Sequence, residues 1–220
     1  MQTPPPADLA SAIVRVHGEV AGAYAEQKIL LRLSDDPQLG ARVIRLLPRK
    51  VARDVTDDVL AHRELARLTP ARPLSAFRVG VAATARKLRG WYAEAQRRSG
   101  IAWQVLAAIN YVESDFGRMR ESSVAGAQGP MQFMPSTWAS YGRGDIHDPH
   151  QAILAAGRFL RAAGGDRDER GALYRYNPSW AYVDAVRRYA GRIRRNPRAF
   201  RVFYARRLVV RTLSGYRRLN

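Results

Sequence analysis

Glu113 is the side chain with the clearest chemical capacity in this chain of 220 residues. It closes a mostly apolar run that begins at Trp103, and Leu106, Ile109, Asn110 and Glu113 keep the i, i+3, i+4, i+7 spacing of one helical face. The carboxyl therefore points where leucine points. A carboxyl on a core-facing surface loses solvation, its pKa rises, and it can hold a proton near neutral pH and donate it. On spacing alone an inert alternative stands beside this one: a last-turn glutamate turned to solvent, or paired with Arg118 or Arg120.

Two further segments carry residues suited to a carbohydrate. Loop 123–135 begins at Ser123 and contains Gly126 and Gly129, which permit close backbone approach. Its Gln132 has an amide that can pair with hydroxyls or other amides, while Phe133, Met134 and Trp138 offer apolar and aromatic surface. A tight turn over core methionine and phenylalanine would use the same residues. Farther on, Tyr176 and Asn177 stand at a helix end, where an asparagine is also an ordinary cap or turn residue. Candidates for a second carboxylate are Asp115, Glu121, Asp145 and Asp148. Asp148 before Pro149 reads as a helix cap, Asp145 as loop, and Asp115, two positions from Glu113, faces elsewhere on a continuing helix.

The elements that must position these groups read as helices throughout. A proline-rich leader over 1–6 precedes a helical pattern over 8–33, a short helix from Asp36-Pro37 to near Pro48, and a long one over 49–68. Pro70 and Pro73 mark a linker. Helices are then predicted over 81–99, closed by Gly100, and over 101–114. A short turn follows at Pro135, and further helices run over 149–163, from an Asp166/Glu169 capping pair to Tyr174, over 179–192, and from Asn196-Pro197 onward. No stretch alternates as a strand. The expected fold is all-α in three parts: an N-terminal helical appendage and linker over 1–75, a central domain over 76–193, and a basic C-terminal helix over 194–220.

Composition narrows the function classes. With 46% hydrophobic residues the chain can bury a good core. The net charge is +18, and segment 187–220 supplies twelve arginines with no acidic residue. Such a field attracts polyanions without choosing among them. Only three of the 37 basic residues are lysine, a bias that codon composition also produces, which weakens a nucleic-acid reading. The absence of cysteine excludes disulfides, thiol catalysis and thiolate metal sites. No apolar run reaches the ~18 residues of a membrane span. The first residues lack the basic start and continuous apolar core of a secretory signal.

Taken in order, VES at Glu113, then the run from Ser123 through GAQGPMQFMPSTW, then YN at Tyr176-Asn177 followed by YV at Tyr182-Val183, resembles the soluble-lytic-transglycosylase domain, of lysozyme-like fold. Within that family the pattern is most similar to the membrane-bound B type and its actinobacterial relatives, over about 88–192. The resemblance implies cleavage of the β-1,4 bond between N-acetylmuramic acid and N-acetylglucosamine in peptidoglycan, with 1,6-anhydromuramyl ends as product. It makes Glu113 the acid and then the base, and Ser123, Gln132, Met134, Tyr176 and Asn177 the substrate-binding set. Substrate assistance by the N-acetyl group then removes the need for a second carboxylate. B-type members can carry a calcium-binding-like loop, but 142–148 here lacks alternating oxygen ligands. His147 and His150 have no further ligands beside them, so no metal is expected and no cofactor is implied. The implied partner is the peptidoglycan glycan strand, in the cell wall or a secreted setting, acted on by a monomer. Anionic wall polymers are a further partner for the basic tail, or the tail docks on the domain through Phe200, Phe203, Tyr204, Leu208 and Val209. Two alternatives remain from the residues: a hydrolytic, goose-lysozyme-like muramidase, and a non-enzymatic polyanion or nucleic-acid binder.

Overall fold

The computed structural model describes residues 4–219; the first half of the expected leader lies outside them. Pro6–Val16 (α1) and Ala23–Asp35 (α2) replace the single helical pattern expected over 8–33. The break falls at Gly18, whose φ of 78° belongs to the left-handed region that an L side chain resists. Pro37–Arg45 (α3) starts under Asp36, whose Oδ1 accepts the Leu39 N–H at 2.9 Å. Arg49–Leu68 (α4) matches its predicted span. These four helices close on their own core of Leu9, Ile13, Leu33, Leu39, Val43, Val55 and Val59.

A second, larger core surrounds Trp103–Ser114 (α6). Val105 through Asn110 are all buried, so this helix is apolar on every side and must sit inside the domain. Ala85–Ser99 (α5) precedes it, capped by the Thr84 hydroxyl and stopped by Gly100 at φ 77°. It begins four residues later than expected, because Gly80 donates its N–H to the Arg118 carbonyl at 2.8 Å and Val79 bridges Met119. Pro135–Tyr141 (α7), Pro149–Ala162 (α8), Glu169–Tyr176 (α9) and Trp180–Arg195 (α10) complete the layer around α6. Asp148 and Ser179 cap as predicted. The cap of α9 is Asp168, not Asp166, which pairs instead with Arg161 at 2.7 Å.

The C-terminal segment departs most from expectation. Arg198–Ala205 (α11) is only eight residues long, and Val209–Thr212 (β1) pairs antiparallel with Gly215–Arg218 (β2), Val209 opposite Arg218. The β-branched residues Val209, Val210 and Thr212, followed by a turn into Gly215 at φ 96°, favour a hairpin over a continued helix. Helix is still the dominant regular structure of the described residues, as an all-α fold requires. The apolar stripe of the segment is docked: Phe200, Phe203 and Leu208 are buried, Tyr204 and Val209 half-buried, and Val210 is buried beside them.

Docking also consumes charge. Arg192 is 1% exposed and bonds Asp58 of α4 and Glu26 of α2, the latter at 3.3 Å. Arg206 reaches the same two carboxylates, Arg195 holds Asp54 at 2.8 Å and Asp57 at 2.6 Å, and His17 Nδ1 meets Glu26 at 2.7 Å. Six of the twelve arginines, at 187, 188, 192, 194, 195 and 206, are thereby paired with acids. The network joins α1, α2 and α4 to α10 and the C-terminal segment.

A pH dependence of stability follows from this network. Burial pulls the His17 imidazolium down, but hydrogen bonds to Asp54 and Glu26 outweigh it and hold its pKa up to about 9. Burial pushes Glu26 and Asp54 up, and His17 together with the arginines outweighs it, leaving both at about 2. The His17 contribution is complete below its unfolded value of 6.5 and is lost as pH rises through 9. The carboxylate contributions are complete above their unfolded values, 4.5 and 3.8, and are lost as pH falls through 2. The network's own contribution to the melting temperature should therefore decline on both sides of pH 5 to 6.5, and His17→Gln should flatten the part of the alkaline decline that lies between about pH 6.5 and 9. An alkaline limb unaltered by His17→Gln would reject this account.

Candidate active site

Glu113 occupies the last turn of α6, and its neighbours fix where that turn stops. Ser114 is fully buried; its Oγ donates to the Pro130 carbonyl at 2.6 Å and accepts the Gly117 N–H at 2.9 Å. One turn earlier, Asn110 Nδ2 donates to the same carbonyl at 2.8 Å, while its Oδ1 accepts the Tyr92 hydroxyl at 2.6 Å. Buried polar groups that are satisfied in this way specify one arrangement of helix and loop. After Ser114 the backbone turns through three left-handed residues, Asp115 at φ 49°, Phe116 at 62° and Gly117 at 85°. The first two are not glycine, so the turn carries local strain. Phe116 is held in it by Tyr111 at 5.2 Å and Phe200 at 5.6 Å, and Asp115 by Arg118 at 2.9 Å.

The carboxyl of Glu113 lies half-buried and forms no ion pair among the described residues. Arg118 pairs with Asp115, and Arg120 donates to the Val81 carbonyl at 2.8 Å, so neither arginine plays the neutralising part that the sequence left open. Burial pushes the Glu113 pKa up to about 7, only partly offset by the Tyr182 hydroxyl beside it. That hydroxyl is itself buried and has no hydrogen bond of good geometry. At neutral pH Glu113 is thus divided between acid and carboxylate, the condition for a group that must first give and then take a proton.

The other predicted residues are placed unevenly. Tyr176 is brought next to Glu113, whose charge adds to the burial that raises the phenol. Its hydroxyl donates to the Met131 carbonyl at 2.6 Å, and its ring meets Phe133 edge-on at 5.7 Å. Gln132, at φ 48°, donates from Nε2 to the carbonyls of Gly129 at 3.0 Å and Glu121 at 3.3 Å, which orders the loop. Ser123 Oγ accepts the Ala127 N–H at 2.9 Å within its own turn and makes no hydrogen bond to Glu113. Met134 is 40% exposed at the start of α7, and Asn177 caps α9 with its backbone. Gly129 has to be glycine: a Cβ there would lie 2.1 Å from the Ile146 carbonyl oxygen.

None of the four candidate partner acids stands ready beside Glu113. Asp115 is engaged by Arg118, Asp145 accepts the His147 N–H, Asp148 caps α8, and Glu121 accepts the Arg78 N–H. His150 pairs with Glu94 at 2.8 Å and stacks on Trp91, apart from any ligand set with His147. Tyr182 is the residue that sequence reading left without a role. Its signal was the core-facing stripe of Tyr182, Val186 and Tyr189 on α10. A concavity of about 420 Å³ between α2 and the hairpin is not lined by Glu113.

A helical domain wrapped around one buried helix, whose last turn presents a single desolvated carboxyl above a glycine-bearing loop, is a lysozyme-like domain. Residues 91–194 match the family model of the Transglycosylase SLT domain. The chain is 35% identical over 112 residues to the membrane-bound lytic murein transglycosylase F of Thiobacillus denitrificans, a match covering 47% of this chain and 23% of that protein. It is 30% identical over 158 residues to the membrane-bound lytic murein transglycosylase F 1 of Alkalilimnicola ehrlichii, covering 65% of this chain and 32% of that protein. The chain therefore spans only about a quarter to a third of the length of these relatives. Both are F-type proteins. No solved structure matches it significantly.

Proposed function

We propose that this chain is a peptidoglycan lytic transglycosylase that cleaves the β-1,4 bond between N-acetylmuramic acid and N-acetylglucosamine. Neutral Glu113 protonates the bridging oxygen as the bond from muramyl C1 breaks, and the substrate's N-acetyl carbonyl supports the developing cation at C1. The Glu113 carboxylate then takes the proton of the muramyl C6 hydroxyl as that oxygen bonds to C1. The ring closes as a 1,6-anhydro sugar, Glu113 is protonated again, and no water is consumed. The observation that carries this reading is the Glu113 carboxyl, held at about 7 by burial, with no other carboxylate among the described residues contributing to that shift. One group of that pKa serves both halves of the cycle, and substrate assistance replaces the missing acid.

Ser123, Gln132, Met134, Tyr176 and Asn177 are the residues assigned to the glycan, with Tyr182 beside the carboxyl. The place of action is the cell-wall space, as cleavage of peptidoglycan requires. Among the described residues no helix is long and apolar enough to cross a membrane. The six arginines of the C-terminal segment outside acidic pairs, at 198, 201, 207, 211, 217 and 218, are exposed and available to anionic wall polymers. Mass spectrometry of purified sacculi digested with the protein tests the reaction: anhydromuramyl ends are expected. Reducing muramyl ends in their place would mean that water, not the C6 hydroxyl, attacks C1.

A further inference from the structure

Asn110 is fully buried on the helix that carries Glu113, one turn before it. A buried amide on an apolar helix costs stability unless its polar atoms are met, and here they are. The Pro130 carbonyl can only accept, so it takes an Nδ2 hydrogen at 2.8 Å; this turns Oδ1 toward the Tyr92 hydroxyl of α5, which donates at 2.6 Å. Burial holds the Tyr92 phenol well above its ordinary pKa, so it stays a donor. Ser114, one turn after Asn110 on the same stripe, donates to the same carbonyl at 2.6 Å. Glu113 lies beside that stripe. The next peptide of the loop carries the contact onward: the Met131 carbonyl accepts the Tyr176 hydroxyl at 2.6 Å, Met131 itself is fully buried, and Tyr176 is the α9 side chain next to Glu113. From α10 the Tyr182 hydroxyl faces the carboxyl, loop 123–135 contributes no titratable side chain, and Asp115 in the following turn is paired with Arg118. A continuous chain of contacts thus runs from Tyr92 through Asn110, Pro130, Met131 and Tyr176 to Glu113.

We propose that Asn110 is a positioning residue for Glu113: it clamps the Pro130–Met131 backbone so that Tyr176 is held against the carboxyl as a wall that limits the water reaching it. The reaction it serves rests on the function proposed above, but the wall itself is measurable without cleavage. Nothing local demands an amide at this position. Leucine has the same branched outline and suits an apolar helix, and Ser114 alone would still tie the helix to the loop. Two donors one helical turn apart fix the direction of the Pro130 carbonyl as well as its distance, and so fix the peptide that follows it. The effect on Glu113 has a definite sign. Burial raises its pKa from 4.5 to about 7, so a loosened wall admits water, stabilises the carboxylate and lets the pKa fall back toward 4.5. Less of the acid that protonates the leaving oxygen is then present at neutral pH.

The test titrates the Glu113 carboxyl by NMR in protein carrying isotope-labelled glutamate, its resonance assigned by its absence from Glu113→Gln. In Asn110→Leu the Glu113 pKa should fall by about one pH unit, and the alkaline limb of kcat against pH should move down with it. At neutral pH, kcat on a soluble glycan oligomer should drop about tenfold while KM stays within roughly twofold. Asn110→Leu strands the buried Tyr92 hydroxyl and should melt earlier; the double variant Asn110→Leu/Tyr92→Phe removes both partners, so it should melt closer to the parent and keep the same shift. Val59→Ala, in the separate core of the first four helices, should lower the melting temperature without moving the titration or kcat. An unchanged Glu113 titration in the Asn110 variants, a loss carried by KM with an unmoved pH limb, an equal movement in Val59→Ala, or a double variant that does not fold would each overturn the assignment; the last would mean that the core, not the site, needs the amide. Sacculus digests without anhydromuramyl ends would overturn the proposed reaction instead, and leave the shift in the titration standing.

Discussion

Glu113→Gln should abolish glycan cleavage while leaving the fold standing. Glutamine has nearly the same volume, so the packing at the end of α6 is kept, and Ser114 and Asn110 still tie the helix to the Pro130 carbonyl. What disappears is the proton that the leaving oxygen needs and the base that the C6 hydroxyl needs. General acid–base catalysis contributes ~10²–10⁴-fold in a single step, and here one group serves two, so turnover of sacculi should fall by roughly 10³-fold or more. Stability should move the other way. A carboxyl whose pKa is raised from 4.5 to about 7 on folding opposes the folded state once pH exceeds 4.5, and the penalty stops growing above 7. The glutamine variant should match the parent near pH 4 and exceed it at pH 8, on the order of 2 kcal/mol once the partial solvation of the site is allowed for. Retained cleavage would remove Glu113 from the mechanism. A stability difference that does not vary with pH would mean the carboxyl is solvated.

Arg192→Met should be among the most destabilising single changes in the chain. Arg192 is buried between Glu26 at 0% and Asp58 at 3% exposure, and methionine would leave those carboxylates facing one another with only Arg206 and His17 to hold them. Removing one member of a buried ion network typically costs 3–5 kcal/mol, far more than losing a surface pair. For a chain of this length that is a fall of about 10 °C in melting temperature. Arg201→Met serves as the control, because Arg201 is equally basic but exposed and unpaired with any acid among the described residues; its melting temperature should barely change. If the two variants melted together, the network would be no more than a set of surface pairs.

These two positions separate what local chemistry encodes from what it does not. The face of α6 that carries Glu113, the stop at Gly100, and the caps at Asp36, Asp148 and Ser179 were legible, because helical period and capping depend on residues within about four positions. Misread elements were also local, but ambiguous. Gly18 could have been tolerated in one long helix, and Val209-Val210 could have continued an arginine-rich one. The order of Glu113, loop 123–135 and Tyr176-Asn177 was enough to place the lysozyme-like domain. It did not reveal that Ser123 and Gln132 spend hydrogen bonds on their own loop.

By itself, then, the sequence determined a helical chain, a core-facing Glu113 and the loop that follows it, because those depend on periodicity and near neighbours. Only the tertiary structure decided that Asp115, Asp145 and Asp148 are held by other partners, that Tyr182 faces the carboxyl, and that Trp180 lies against Tyr174. It also changed the meaning of the arginine-rich segment. An arginine run reads as a solvated field until its partners are known, and those of Arg192 lie 134 and 166 residues away, at Asp58 and Glu26. Burial of a charge depends on what the folded chain brings opposite it, and no local pattern carries that information.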